Sequence, residues 1–479
     1  MTRKVLFNSV EFAVFLIIVF SVYWFLFNRN LLLQNFFLVV VSYFFYGWWD
    51  WRFLSLLFVS SLVDYLVGLG LNWAESPRTR RILLGASLLC DLGLLAFFKY
   101  YNFFIASFVG LLQDLGFSPN PSSLRVILPV GISFYTFQSL TYTIALYRGE
   151  IRATRNIIQY FAFVSFFPQL VAGPIERAGS LLPQFAKRRS FDYVSASAGM
   201  RRILWGLFKK IVVADTCAQH VDAIFANYDS LGGSTLLLGV IYFAFQIYGD
   251  FSGYSDIAIG IGRLLGFDLQ HNFALPYFSR DIGEFWRRWH ISLSSWFRDY
   301  VYVPLGGNRG TRIRHIRNVL ITFTLSGLWH GANWTFVFWG LLNGLYYVPL
   351  ILFGNRVKCS QIAAQGRAFP TLSEIWRMSE TFCLVLIGWV LFRSESLHDA
   401  VGYLHGMFSS TLFSLPGSRR ASMLYVLMLV ITEWFQREKG DPLEMRNLPS
   451  FVRWFVYMVV TLLVLACYTN ERVFIYFQF

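Results

Sequence analysis

Long apolar runs, separated by short polar or basic segments, occupy most of this chain. The runs lie at residues 10–27, 31–46, 53–71, 82–110, 126–147, 155–175, 203–217, 234–249, 253–266, 316–329, 334–354, 380–394, 421–435 and 452–469. A run of about 17–25 apolar residues is long enough to cross a bilayer as a helix. The pattern therefore predicts an all-α, polytopic membrane protein.

Several of these runs cannot be simple spans. Residues 155–175 contain Pro168 and Pro174, and residues 234–266 carry Asp256 between apolar stretches. Irregular backbone at membrane depth is tolerated only where protein buries it or a cavity wets it. We therefore expect broken or re-entrant helices, and cavities, in the middle third of the chain.

The composition supports a membrane protein, since 56% of the 479 residues are hydrophobic and only 14% are charged. Soluble proteins carry about a quarter charged residues. The net charge of +14 is better explained by lysine and arginine in cytoplasmic loops than by nucleic-acid binding. The five cysteines are scattered and predict neither disulfides nor a zinc site, and we expect no metal.

Residues 281–300 are predicted to form one amphipathic helix. Asp281 is placed to cap it, and Glu284 follows three residues later. Aromatic and aliphatic side chains recur at helical spacing, with Arg287 on the opposite side. An interfacial helix explains the aromatic residues and arginines but explains His290 poorly, and we interpret His290 as functional.

His330 interrupts a run that is otherwise apolar enough for lipid. Gly327 and Gly331 flank it, and Trp329 and Trp334 supply apolar walls. We expect the two glycines to let another group approach the imidazole closely. Desolvation keeps such a ring neutral, which is the form that a general base requires. The alternative is a buried histidine that is hydrogen-bonded between helices.

Asp256 lies among small residues in the segment Tyr248–Gly260. Its carboxylate could orient an imidazole or form a structural ion pair, and the sequence favours neither. The chain contains no GxSxG, HExxH or P-loop motif. A serine hydrolase and an ATP-driven pump are therefore unsupported.

Five segments resemble signatures of the membrane-bound O-acyltransferase (MBOAT) family, in particular of its bacterial alginate O-acetyltransferase I-like branch. They are LPVGISFYTFQSLTY, FFPQLVAGPIER, GDFSGYSDIAIGIG, EFWRRWHISLSSWFRDYVYVPLGGNR and GLWHGANWTFVFWG. The resemblance implies about eleven transmembrane helices around a core thinned by a funnel on each face. We expect one domain over residues 1–479, with N-terminal helices to residue 150, a catalytic core at 151–350 and C-terminal helices at 351–479.

By residue matching, the resemblance implies that His330 is the catalytic histidine and that His290 occupies the second polar position of the active site. The implied function is O-acetyl transfer from a cytoplasmic donor, acetyl-CoA, to a cell-envelope or exported polysaccharide such as alginate. No bound cofactor is expected. We expect substrate contacts from Arg287, Arg288, Trp329, Asn333, Asp256 and Glu284.

Three alternatives remain at this point. The acceptor could be peptidoglycan or cellulose, and the group could be D-alanine transferred to teichoic acid. A transporter of polysaccharide precursors would be expected to show inverted repeats, which the sequence lacks. We expect a bacterial cytoplasmic (inner) membrane protein with both termini on the extracytoplasmic side.

The segment Glu471–Phe479, ERVFIYFQF, surrounds Tyr476 with apolar residues. An aromatic anchor at the membrane surface is one interpretation. The FxYxxF-like pattern also resembles the C-terminal acyl-transfer motif of related envelope-acylating systems. This resemblance implies that Tyr476 receives the acetyl group and passes it to a periplasmic partner with a serine nucleophile, of the SGNH type.

Overall fold

The structure, a computed structural model, describes residues 6–119, 126–171, 173–354, 362–417, 421–468 and 474. Every regular element in these ranges is a helix, which confirms the predicted all-α class. Six helical stretches of the described chain are long and apolar enough to cross a membrane. They are Leu31–Trp73, Pro77–Asp114, Gly233–Leu264, Trp334–Phe353, Leu372–Arg393 and Ser450–Cys467. A total of about eleven spans stays a prediction.

The chain packs into two compact units. The first contains Met1–Ser197 and Ile261–Leu269, and the second contains Ala198–Gly260 and Gln270–Phe479. The division lies near residue 197 and not at the predicted internal boundaries, 150 and 350. That the whole chain forms one domain stays a prediction.

The first unit holds the N-terminal helices. Its α-helices are Val10–Ser21, Leu31–Asp50, Leu54–Trp73, Pro77–Leu95, Tyr101–Asp114, Ile132–Arg148, Ile157–Ser165, Phe167–Leu170 and Ala178–Ala186. The turns Val22–Leu26 and Ala96–Tyr100 are π-helical, and Trp51–Phe53 is a 3₁₀ turn. The predicted interruption at Pro168 is confirmed, since this residue lies in a separate helix of four residues.

The second unit contains the segment with both candidate histidines. Its α-helices are Asp215–Ala226, Ile282–Arg288, Ile291–Phe297, Arg312–His330, Trp334–Phe353, Leu372–Arg393, Leu397–Met407, Ala421–Gln436 and Ser450–Cys467. The segments Phe208–Ala214 and Arg298–Tyr302 are π-helical, and short 3₁₀ turns occupy Tyr228–Ser230, Pro276–Phe278 and Ser410–Phe413. Two more helices, Tyr193–Leu207 and Gly233–Leu264, contain residues of both units.

The helix Gly233–Leu264 runs unbroken for 32 residues, so the expected interruption near Asp256 is wrong. Asp256 is accommodated by ion pairs, because Arg202 Nη1 and Lys209 Nζ each lie 3.0 Å from one of its oxygens. Paired in this way, a buried carboxylate does not require the helix to break.

His330 is the last residue of a helix that packs very closely on the next one. A Cβ atom at Gly327 would lie 2.2 Å from the carbonyl oxygen of Phe336, and one at Gly331 would lie 2.1 Å from the Phe336 ring. The group that comes close to Gly327 and Gly331 is thus Phe336 of the next helix, and the approach of a substrate group to the imidazole stays a prediction. These glycines instead let the helices Arg312–His330 and Trp334–Phe353 approach each other, which fixes His330 at the hairpin between them.

Candidate active site

His290 lies at a break in the backbone and not within a helix. The helix Ile282–Arg288 ends before it, and the helix Ile291–Phe297 begins after it. His290 itself has φ 43° and ψ 56°, in the left-handed region. The prediction of one interfacial helix over 281–300 is therefore wrong. For a residue other than glycine this conformation costs roughly 1–2 kcal/mol, so the surrounding structure must hold it.

A neighbouring irregular segment, residues 270–275, holds this break on both sides. The Ala274 backbone N–H donates to the Arg288 carbonyl oxygen at 3.0 Å, and the Ile291 N–H donates to the Asn272 carbonyl at 2.9 Å. The two bonds satisfy backbone groups that the interrupted helix leaves open. The break at His290 is thus a hydrogen-bonded feature of the fold.

The structure brings His290 and His330 together in the interior of the second unit. His290 is 0% exposed and His330 is 3% exposed, and the centres of their imidazole rings are 6.3 Å apart. The indole of Trp329 contacts both rings, with its centre 5.9 Å from His290 and 5.1 Å from His330. The two imidazoles and the Trp329 indole therefore form one buried cluster.

Aromatic side chains enclose the two imidazoles. Trp339 and Phe392 meet the His330 ring edge-on, at centre distances of 5.0 Å and 5.5 Å. Phe251 meets the His290 ring edge-on at 4.5 Å. Burial lowers the pKa of His290 to about 3, so its imidazole is neutral at cellular pH and can accept a proton or a hydrogen bond.

A cavity of about 560 Å³, within the size range of small-molecule sites, is lined by residues close to His290 and His330 in the chain, while neither histidine is itself part of the lining. Ile291, which follows His290, and Ser326, one helical turn before His330, both line it. Its wall also carries Arg287, as expected for a substrate contact. Further polar or basic lining residues are Ser294, Ser295, Arg298, Asn308, His315 and Thr322.

Glu284 and Arg288, two predicted substrate-binding residues, bind each other. A carboxylate oxygen of Glu284 lies 2.8 Å from Arg288 and 3.0 Å from Arg280. Burial alone would raise the pKa of Glu284, but hydrogen bonds from Arg280 and the two guanidinium charges outweigh it and lower the pKa. Glu284 is therefore an ionised anchor for two arginines, and its contact with substrate stays a prediction.

The remaining predicted residues lie in different surroundings. Asn333 accepts a hydrogen bond from the Thr335 N–H at the start of a helix and donates to the Glu395 carbonyl. Asp256 is engaged by the ion pairs described above, and Tyr476 lies outside the described residues. Within the described ranges no group of three or more histidine, cysteine, aspartate or glutamate residues could hold a metal.

Sequence reasoning missed several residues that shape the site. Phe251 and Phe392 come from helices distant in sequence, and no local pattern marks them. His315 also lines the cavity. Its position inside the basic cluster at residues 309–317 was the available signal.

The protein-family model described as "MBOAT, membrane-bound O-acyltransferase family" matches residues 15–374 of this chain. The chain belongs to the membrane-bound O-acyltransferase family. It is 42% identical over 403 residues to a probable alginate O-acetylase AlgI of Pseudomonas syringae pv. tomato, covering 83% of this chain and 75% of the relative. A protein of the same name from Pseudomonas putida is 41% identical over 83% of this chain and 80% of its own length.

A peptidoglycan O-acetyltransferase of Helicobacter pylori is 35% identical, over 79% of this chain and 74% of the relative. These relatives, together with the apolar helices, confirm the prediction of a multi-pass membrane O-acyltransferase. The residues that the family model matches include both histidines and every residue that lines the cavity.

Replacing Glu284 with glutamine should destabilise the protein, because it removes the anion that Arg288 and Arg280 share and leaves Arg280 only the longer pair with Glu374 at 3.8 Å. Breaking a buried ion pair costs about 3–5 kcal/mol. Thermal unfolding in detergent measures the effect. Asp222→Asn is the matched control, because Asp222 forms a more exposed pair with Arg393 and should change stability by about 1 kcal/mol or less. Wild-type stability of Glu284→Gln would contradict the anchoring role.

Proposed function

We propose that this protein transfers acetyl groups from cytoplasmic acetyl-CoA for O-acetylation of a cell-envelope or exported polysaccharide. The observation that carries the proposal is the buried pair His290 and His330, close in the chain to Ile291 and Ser326, which line the cavity. A neutral imidazole in a water-poor site can take the proton of a hydroxyl poised against a thioester.

In the proposed step, a hydroxyl oxygen attacks the thioester carbonyl carbon while His330 accepts the hydroxyl proton. The new C–O bond forms, the C–S bond breaks, and the proton passes from His330 to the leaving thiolate. His290, neutral and 6.3 Å away between ring centres, positions the thioester carbonyl or the hydroxyl. Atoms and charge balance without a further reactant.

The cavity supports a donor that carries phosphates at one end and a small acyl group at the other. Arg287, Arg298 and His315 give it a basic wall, which attracts an anion. The Arg298 side chain is 64% exposed, so this wall reaches the surface. At the other end, the rings around His330 favour a group as small as acetyl.

For the acceptor we propose a polysaccharide, because the relatives are named for alginate and for peptidoglycan O-acetylation. Cellulose is a third candidate of the same class. D-alanyl transfer to teichoic acid would need a carrier-protein donor. An assay that contains acetyl-CoA as its only thioester therefore allows acetyl transfer and does not allow D-alanyl transfer.

We further propose a bacterial inner-membrane location with both termini outside the cytoplasm. Lysine and arginine clusters then lie in cytoplasmic loops. The donor is cytoplasmic and the polysaccharide is external, so the acetyl group must cross the membrane through the protein. A periplasmic partner with a serine nucleophile, of the SGNH type, would complete delivery to the polymer.

Tyr476 is the acceptor that we propose for the acetyl group leaving the donor. Phe474, two residues earlier, is 1% exposed and packs on Tyr254 and Phe251 at centre distances of 5.0 Å and 5.8 Å. Phe251 in turn contacts His290. Tyr476 itself lies outside the described residues, and we propose it on the chemistry of its phenolic hydroxyl. Its ester is activated enough to pass the group onward.

Changing His330 to alanine should leave a folded, membrane-inserted protein whose acetyl transfer is lower by about 10²–10⁴-fold, the usual contribution of a positioned base. Acetate released by saponification of the purified polymer measures transfer in cells. The control is His398→Ala, which alters an exposed histidine and should retain full activity. Near-wild-type acetylation by His330→Ala would refute the proposed base.

The same assay separates a joint from an independent role of His290. If the histidines act as a unit, the double variant His290→Ala/His330→Ala should lose far less than the product of the two single losses. Multiplicative losses would instead make His290 a structural residue.

Tyr476→Phe should abolish polymer acetylation in cells, because it removes the hydroxyl and preserves the aromatic ring. Tyr468→Phe is the matched control, since Tyr468 follows the last described helix and is partly exposed. A Tyr476→Phe variant that still acetylates polymer would make this segment an anchor only.

A further inference from the structure

We propose that Asn272 is a positioning residue for acetyl transfer, which holds His290 in its left-handed conformation and so directs the imidazole toward His330. This inference rests on the proposed function. Asn272 does not lie in either helix beside the break. It belongs to the irregular segment that follows the helix Gly233–Leu264 and lies beside the break at His290.

Asn272 binds the two residues that follow His290. Its carbonyl oxygen accepts from the Ile291 N–H at 2.9 Å. Its side-chain Oδ1 accepts from the Ser292 hydroxyl at 2.6 Å and from the Ser292 N–H at 3.3 Å. One buried residue thus receives three hydrogen bonds from the first turn of the helix that His290 precedes.

Asn272 is itself held against another helix. Its Nδ2 donates to the Ser255 hydroxyl at 3.4 Å, and Ser255 belongs to the helix Gly233–Leu264. Asn272, Ser292 and Ser255 are all buried. The Asn272 carboxamide therefore accepts hydrogen bonds from Ser292 through its Oδ1 and donates one to the helix Gly233–Leu264 through its Nδ2. Only a side chain with both functions can make this connection.

This connection determines the direction of the His290 ring. A left-handed residue other than glycine persists only where its neighbours over-determine it. A change of residue 290 to helical or extended backbone would rotate its Cα–Cβ bond and move the imidazole relative to His330. Because the next helix begins at Ile291, fixing Ile291 and Ser292 fixes the backbone of His290.

The test is a double-mutant cycle on purified protein, with thiol release from acetyl-CoA as the readout. Asn272→Ala should lower kcat by up to about 10²-fold, since a misplacement of about 1 Å costs that much, and should leave KM for acetyl-CoA nearly unchanged. In the His290→Ala background, the same change should cause no further loss. Equal losses in both backgrounds would overturn the proposal and make Asn272 a structural residue.

Asn343→Ala is the matched control, because Asn343 is also buried and its Nδ2 also donates a hydrogen bond, in this case to the Trp339 carbonyl. It should give the same kcat loss with and without His290, or none. If Asn272→Ala fails to fold, Ser292→Ala removes only the 2.6 Å bond. Its smaller loss should again vanish in the His290→Ala background, and a loss that persists there would overturn the proposal.

A structure of Asn272→Ala by electron cryomicroscopy tests the inference independently of acetyl transfer. The His290 ring should be rotated away from His330, with φ at residue 290 no longer positive, whereas Asn343→Ala should retain both features. An unchanged ring would overturn the positioning role even if the protein transfers acetyl groups. Absence of thiol release by the wild type, with a rotated ring in the variant, would refute the proposed function alone.

Discussion

The burial of two imidazole rings is the constraint on which the site depends. Since solvent barely reaches His290 or His330, the polypeptide alone must fix their positions, and burial keeps the His290 imidazole neutral. Two backbone features achieve this. A helix break places His290, and the glycine-lined crossing of the helices Arg312–His330 and Trp334–Phe353 places His330. Aromatic rings then fill the space around both imidazoles, and one cavity is lined by Ile291 and Ser326, which are close to the histidines in the chain.

Charged groups in the same unit are kept apart from the imidazoles by pairing with each other. Glu284 holds Arg280 and Arg288, and Asp256 holds Arg202 and Lys209. A buried charge without a partner would cost several kcal/mol, and near the site it would also perturb the neutral histidines. The paired charges fasten helices together, while Arg287 and Arg298 remain at the cavity wall.

Much of this architecture could be predicted from the sequence, and the failures have physical causes. The apolar runs predicted the helices. His330 was identified as functional because burying an imidazole in an apolar segment costs free energy. The same periodicity predicted one helix through His290, because the spacing of aromatic residues does not encode the left-handed residue that interrupts it. Gly327 was expected to admit a group close to the imidazole, but a sequence cannot say that the neighbour at this glycine is Phe336 of the next helix. Asp256 was expected to break its helix, because its partners lie far along the chain.

The most direct measurement of the central claim is the structure of the protein with a non-reactive thioether analogue of acetyl-CoA, determined by electron cryomicroscopy in a lipid nanodisc. The account predicts the phosphates against Arg287 and Arg298 and the acetyl carbonyl within about 3 Å of an imidazole nitrogen of His330 or His290, the distance of a hydrogen bond. An analogue bound elsewhere, or in this cavity with its acetyl group directed away from both histidines, would contradict it.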